Sequence, residues 1–285
     1  MIKIAVLITC HNRREKTIKC LQSLFNQLNV EKIELKVFLV DDGSTDGTRQ
    51  AVNDLFPNVI IIEGNGNLFW ARGMELAWKE ALKTKEKFDY YLWLNDDVYL
   101  FDTAIKELLK TQRKNTEIIV GSVCDPVTKH RTYGGWKLAS KFIRPFRLKI
   151  ININGKPQEI DVFNGNVVLI PNTAYLKIGI IDKIFKHAYA DIEYSYRARR
   201  HGIIMLLAAK YVGECPSHTL DYEAYKKLSL FKKISNLFER KVKPPGDWFR
   251  MSYKYGGLFW PVHFFIGYIK SIIKILYSHN YFDKN

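Results

Sequence analysis

Acidic residues are missing where the chain is richest in cations. Between Lys129 and Lys156 there is no aspartate or glutamate, against Lys129, Arg131, Lys137, Lys141, Arg144, Arg147, Lys149 and Lys156. From Asp221 onward, 12 basic residues stand against 5 acidic ones. These stretches carry +8 and +7, the whole of the formal net charge of +15. A charge so localised suits anionic lipid, a phosphorylated acceptor or nucleic acid, whereas a merely solubilising face usually mixes signs. Cysteine is scarce too. Cys10, Cys20, Cys124 and Cys215 form no C-x-x-C pair and no zinc spacing, which leaves reduced thiols of a cytosolic protein. The apolar opening Met1–Ile8 is followed by no small-residue cleavage site, so no signal peptide is expected. No internal repeat or low-complexity linker interrupts the chain. What is present, 47% apolar and 14% aromatic over 285 residues, is enough for a full core and one extra subdomain.

The stretch that organises the chain is Tyr90–Val98, Tyr-Tyr-Leu-Trp-Leu-Asn-Asp-Asp-Val. Its unbroken apolar run suits a strand buried on both faces, as in a parallel sheet. Asn95, Asp96 and Asp97 then fall at the strand's carboxyl end, where ligands bind in open α/β sheets. Adjacent carboxylates repel unless a cation or hydrogen-bond donors offset them. A hard divalent ion carrying a phosphate substrate would do so, and a solvated turn or helix cap is the plain alternative.

Strands are expected at Ile2–Ile8, Lys36–Val40 and Val59–Ile62, each followed by a polar loop. Between them Ile18, Leu21, Leu24, Phe25 and Leu28, then Ala51, Val52, Leu55 and Phe56, then Met74, Ala77, Trp78, Ala81 and Leu82 recur at helical spacing. The order β-α-β-α-β-α-β argues for a parallel sheet covered by helices. After it, Glu117–Val123 and Val162–Pro171 read as strands with no regular helix between. Asp191–His201 reads as a helix exposing Arg197, Arg199 and Arg200, and Ile203–Ala208 as a last strand. Beyond Asp221 the chain reads as helical and basic, interrupted at Pro244-Pro245-Gly246.

Five pieces now stand in order: Thr9-Cys10-His11-Asn12-Arg13; Asp41-Asp42-Gly43-Ser44-Thr45-Asp46-Gly47-Thr48; Asn65-Gly66-Asn67 through Arg72-Gly73; Asn95-Asp96-Asp97; and Asp191-Ile192-Glu193. Together they resemble the family 2 glycosyltransferases, with the Asp-Asp-Gly-Ser run the most specific. The resemblance covers residues 1–215. It implies the α/β GT-A fold, a Rossmann-like and mostly parallel sheet with helices on both faces. Residues 1–220 would form the catalytic domain and 221–285 a helical basic extension.

The resemblance also implies roles. Thr9, His11, Asn12 and Asp41 would hold the nucleobase, with Arg13, Asp42, Asn67 and Gly73 in the same donor-binding set. A carboxylate accepts well from a pyrimidine N3–H, which favours a UDP-sugar or dTDP-sugar donor. A turn with a helix cap is the alternative for Asp41 and Asp42. Arg72 would lie over the diphosphate or base, unless it is a surface ion pair. Asn95 and Asp96 would touch the ribose, and Asp97 would bind Mn²⁺ or Mg²⁺ bridging the donor phosphates. Asp191 matches the catalytic base of an inverting displacement, or caps its helix, or does both. Relatives often carry an acid where this chain has Asn95 and Ala190. A late histidine completes the metal shell in some GT-A enzymes, which nominates His218. For the acceptor side the candidates are Trp136, Asn164, Gly165, Asn166, His187 and Glu193; core packing is the commoner use of Trp136.

In the tail, Leu258–Tyr277 is apolar but interrupted by Lys270 and Lys274. Two lysines four apart disfavour a spanning helix, leaving a helix in the membrane interface or one packed on the catalytic domain. The expectation is a cytoplasmic enzyme, peripheral on the inner membrane face, building surface polysaccharide on a saccharide or lipid-linked acceptor. No nucleic-acid partner is expected, and a homodimer stays open. Two rival readings are a nucleotidyltransferase, against which the glycine-free Thr9–Arg13 loop counts, and a non-catalytic basic module for membrane or nucleic acid. The second leaves Asp41, Asp97 and Asp191 without a purpose.

Overall fold

In the computed structural model, which describes residues 1–27, 32–140, 145–185, 188–216, 227–239 and 242–277, the alternation of strand and helix runs through the first half. It comprises β1 (Ile2–Cys10), α1 (Arg14–Phe25), β2 (Ile33–Asp41), α2 (Thr48–Leu55), β3 (Ile60–Glu63), α3 (Phe69–Lys83) and β4 (Tyr90–Leu94). β1 pairs in parallel with both β2 and β4, and β2 in parallel with β3. The apolar run in β4 is buried on both sides. Leu92 and Leu94 join the cluster of Ile4, Val6 and Ile8 with Leu21 and Leu24 of α1. Tyr91 and Trp93 meet the opposite set, the Tyr91 ring tilted against Trp78 at 5.1 Å and the Trp93 ring against Tyr194 at 4.9 Å. A strand with helices on either side must be apolar at every position, which is why it reads as a run rather than an alternation.

The second half departs from the expected pattern. A short β5 (Tyr99–Leu100) and α4 (Ala104–Thr111) precede β6 (Ile118–Cys124). The basic segment holds β7 (Arg131–Tyr133), β8 (Gly135–Leu138), β9 (Leu148–Ile150) and β10 (Gln158–Ile160). The stretch expected as one strand, Val162–Pro171, is two: β11 (Val162–Phe163) and β12 (Val167–Pro171), parted by Asn164-Gly165-Asn166. Then come α5 (Asn172–Ile178), α6 (Ala190–Arg200) and β13 (Met205–Glu214). The main sheet runs β10-β13-β6-β12-β4-β1-β2-β3, with β5 on β13 and β7 on β6; β11-β8-β9 form a second small sheet. β12 is antiparallel to both its neighbours, β4 and β6.

Two arginines sit otherwise than expected. Arg197 and Arg199 are half-buried, Arg197 paired with Glu193 at 3.1 Å and Arg199 with Asp161 at 3.6 Å; Arg200 is exposed. Buried acids draw both side chains inward, which polarity alone does not reveal.

The described residues form two compact units. The larger takes those within 1–137, 148–186 and 190–216, the smaller the rest. In the smaller, α7 (Leu230–Leu237), α8 (Pro245–Tyr255) and α9 (Trp260–Tyr277) follow one another. Pro244-Pro245-Gly246 opens α8 rather than interrupting a helix, since proline in the first turn needs no N–H. Gly267 lets α9 approach α8 closely: a Cβ there would lie 2.7 Å from the Trp248 ring.

Candidate active site

Parallel register decides which loops meet. Cys10 pairs with Asp41 and Leu7 with Trp93, so β1, β2 and β4 end at one edge. Thr9–Arg13, Asp41–Thr48 and Asn95–Asp97 all lie there. Because β12 is antiparallel to β4, its beginning reaches the same edge, and the Asn95 N–H donates to the Asn166 carbonyl at 3.0 Å. The Gly165 N–H donates in turn to Asp191 Oδ2 at 3.0 Å in the first turn of α6. Trp70 closes this chain of contacts: its Nε1–H donates to Asn95 Oδ1 at 2.7 Å. Gly165 has to be glycine, for a Cβ would lie 2.4 Å from the Trp70 ring. Asn95, Asn166, Gly165, Trp70 and Asp191 are thus one connected structure.

Asp96 and Asp97 are buried, and both face Arg13, whose Nη1 lies 3.0 Å from Asp96 Oδ1 and 2.9 Å from Asp97 Oδ2. Burial pushes the Asp96 carboxyl up to about 6; Arg13 pulls it down and Asp97 pushes it further up. Asp96 Oδ2 is buried with no hydrogen-bond partner among the described residues. Cys215 packs below, its Sγ 3.7 Å from Asp97 Oδ1, and its thiol is pushed well up, by burial first and then by Asp97. It is an inert thiol that carries no charge into the site.

The two carboxylates of the second loop divide their work. Asp42 accepts three backbone N–H groups, from Gly66 at 2.8 Å, Leu68 at 2.9 Å and Phe69 at 3.0 Å. It thereby ties the Glu63–Asn67 loop to the start of α3 and holds Phe69 at φ 57, a left-handed backbone that a bulky residue rarely adopts. Asp41 accepts one local N–H, from Ser44 at 3.0 Å. Asn12, itself at φ 50, laces the first loop to the second: its N–H donates to Ser44 Oγ at 2.9 Å and its Oδ1 accepts from Thr45 N–H at 2.7 Å. His11 Nδ1 lies 2.6 Å from the Asp42 carbonyl. Asp46 accepts from the first N–H of two helices, that of Arg14 in α1 at 2.9 Å and that of Thr48 in α2 at 3.0 Å.

Burial raises the pKa of Asp191, against the pull of hydrogen bonds from Gly165 and Ile192. A carboxylate so placed holds a proton more firmly than an exposed aspartate while its lone pairs stay oriented. Glu193, two residues on, is fully buried and engaged by Arg197. Gly73 is buried against Thr9, where a Cβ would meet Thr9 Oγ1 at 2.2 Å, so it sets the approach of α3 to β1. Arg72 is half-buried and forms no hydrogen bond or ion pair among the described residues. Asn67 is exposed beside Asn65. Trp136 stands on β8 under the Arg131 guanidinium at 5.2 Å, and β8 pairs with β11, which leads into Asn164. His187 and His218 lie outside the described residues. Among the described residues no three His, Cys, Asp or Glu side chains converge to hold a metal. Sequence reasoning passed over Trp70 and Cys215; Trp70 stood inside the quoted Asn65–Gly73 piece, but nothing there marked it from a core tryptophan.

The division of labour at the second loop is measurable. Asp42→Ala leaves three backbone donors without their acceptor and should cost about 2–4 kcal/mol in chemical denaturation, whereas Asp41→Ala should cost about 1 or less. Equal losses would contradict it.

The model of the family described as Glycosyl transferase family 2 matches residues 5–176. Among solved structures, GalNAc-T7, crystallised with UDP, GalNAc and Mn²⁺, is similar with a TM-score of 0.59 at 13% identity; the match covers 73% of this chain and 43% of that one. The mannosyltransferase PcManGT from Pyrobaculum calidifontis, in complex with GDP-Man and Mn²⁺, is similar with a TM-score of 0.56 at 14% identity, covering 96% of this chain and 72% of that one. The chain therefore spans less than half the length of GalNAc-T7. At such identities the likeness concerns the fold.

Proposed function

The chain belongs to glycosyl transferase family 2, and from that premise we propose that it is an inverting, metal-dependent enzyme moving a hexosyl or deoxyhexosyl group from a UDP- or dTDP-sugar to a saccharide or lipid-linked acceptor. The observation that supports the reading is the run of hydrogen bonds joining Asn95, beside the Asp96–Asp97 pair, through Asn166 and Gly165 to Asp191. It puts an acidic donor-side turn and a well-oriented base in one structure.

The acidic turn suits a hard divalent cation. Two buried carboxylates lie side by side against Arg13, and one oxygen of Asp96 has no hydrogen-bond partner among the described residues. Asp97, with Asp96 beside it, would hold Mn²⁺ or Mg²⁺, and the two neighbours named above were each solved with Mn²⁺. Bound there, the ion would neutralise charge growing on the departing nucleoside diphosphate. Asp41, whose carboxylate is less committed than that of Asp42, accepts the pyrimidine N3–H. Thr9, His11 and Asn12 flank the base; Asn95 and Asp96 face the ribose, and Arg72 the diphosphate. Asp191 takes the proton from the acceptor hydroxyl as its oxygen attacks the anomeric carbon. The bond from that carbon to the diphosphate breaks on the opposite face, and the nucleoside diphosphate leaves with the electron pair. Asn164, Gly165 and Asn166, with Trp136 beyond them, line the acceptor side. Glu193 serves instead to hold α6, by its pair with Arg197. The acceptor is a growing surface polysaccharide or glycolipid at the cytoplasmic face of a membrane.

Two outcomes follow. Asp191→Asn should lower transfer at least a thousandfold, on the order of a lost general base with its orientation, yet bind donor nucleotide as tightly as wild type by calorimetry. Wild-type-like turnover would contradict the assignment. Arg13 competes with the metal for Asp97. Arg13→Gln should therefore tighten Mn²⁺ binding in the absence of nucleotide by about tenfold, read from the resonance of free Mn²⁺, because one charge-assisted contact no longer has to break. Unchanged or weaker binding would show that the cation sits elsewhere.

A further inference from the structure

One side of α9 is pinned and the other lies bare. On the pinned side the Trp248 Nε1–H donates to the Phe264 carbonyl at 3.0 Å, and the Tyr268 hydroxyl donates to the Lys243 carbonyl at 3.0 Å. The Lys243 ammonium donates to the Gly267 carbonyl at 3.0 Å and to Ser271 Oγ at 3.3 Å. On the other side Val262, Phe265, Ile269, Ile273 and Leu276 recur at intervals of three and four residues, each about half exposed or more. They form one apolar stripe about 20 Å long at 1.5 Å per residue. The turn before the helix extends it with Leu258 at 93% and Phe259 at 66% exposure. A contiguous apolar strip of this size is a binding surface rather than scattered exposure.

Charge decides between occupants. Arg250 is paired with Asp247 at 3.1 Å, and from there to Asp283 the sequence has no acidic residue, while Lys254, Lys270 and Lys274 are basic. A second copy docking through this face would bring like charges together, whereas anionic headgroups complement them. The start of the helix adds a knot of aromatics, with Phe249 and Tyr253 each 5.4 Å from the Trp260 ring. Aromatic side chains of this kind settle at the boundary between hydrocarbon and headgroups.

Length alone would allow the helix to cross a bilayer: Gly257–Leu276 spans 20 residues with a mean hydropathy of 1.3. Its middle, however, is hydrogen-bonded to Lys243, whose own pKa is pulled down to about 8 by burial and then by Lys274. Crossing would carry Lys243, Lys270 and Lys274 into hydrocarbon, at a cost of several kcal/mol. We propose that α9 lies flat in the interface of an anionic lipid membrane, with the Val262–Leu276 stripe in the acyl layer and Lys270 and Lys274 at the headgroups. This deepens the reading of a membrane-borne acceptor above. Vesicle binding needs neither donor nor acceptor, so it can fail while transfer survives, and the reverse.

The test is co-sedimentation of the full chain with vesicles of phosphatidylcholine, alone or mixed with phosphatidylglycerol. The mixed vesicles should pellet the protein, high salt should weaken binding, and alkaline carbonate should release it. Phe265→Glu with Ile269→Glu, both at exposed positions, should lower binding at least tenfold with an unchanged circular dichroism spectrum. Lys270→Glu with Lys274→Glu should remove the preference for phosphatidylglycerol. Three results would overturn the proposal: a wild-type chain left in the supernatant, carbonate-resistant insertion, or a dimer in sedimentation equilibrium that Phe265→Glu with Ile269→Glu dissolves.

Discussion

Side-by-side parallel pairing of β4, β1 and β2 is the constraint from which the site follows. Strands in parallel register must end at the same edge, and here Cys10 lies level with Asp41 and Leu7 level with Trp93. Three polar loops, separated by dozens of residues, are thereby delivered to one rim. The antiparallel β12 completes the arrangement, because reversing a strand brings its beginning to the edge where the others finish. Asn166 can then meet Asn95, and Gly165 can meet Asp191. The tryptophan that bridges them, Trp70, is tolerated only because residue 165 has no side chain.

Concentrating acids on one rim has an electrostatic cost, and the structure meets it differently at each acid. Asp42 is satisfied by three backbone donors and becomes part of the scaffold. Asp96 and Asp97 both face the Arg13 guanidinium, and one oxygen of Asp96 is buried without a hydrogen-bond partner among the described residues. Asp191, half-buried, has a pKa raised by desolvation and accepts from the Gly165 and Ile192 backbone N–H groups. Glu193, in the same short helix, is fully buried and paired with Arg197.

How much of this was legible in the sequence depended on locality. The first half announced itself because each apolar run and each helical stripe is long enough to show its own period, and each ends in a loop rich in Asp, Asn and Gly. The second half did not. α4 and α5 are 8 and 7 residues long, too short for a stripe to stand out, and β7 to β11 have 2 to 4 residues each. Asn164-Gly165-Asn166, where Val162–Pro171 breaks, is a local turn signal, but that β11 then pairs with β8 and β12 with β4 and β6 is a long-range fact. The distinction between Asp191 and Glu193 is of the same kind. Two residues apart on a helix they face different ways, and only the packing of α6 shows which one meets Gly165 and which meets Arg197. Arg13 was legible as a donor-loop residue, but its pairing with carboxylates more than 80 positions away was not. The apolar tail was visible as composition; only its packing against Lys243 and Trp248 separates a pinned side from a bare one.

The central claim is that Asp41, Asp97 and Asp191 serve one small molecule. A crystal structure of the chain grown with UDP and Mn²⁺ tests it most directly. The account predicts uracil against Asp41, the cation between Asp97 and the diphosphate, the Arg13 guanidinium moved off Asp97, and Asp191 facing the open end of the diphosphate. A nucleotide lodged where one of these three carboxylates cannot reach it would contradict the account.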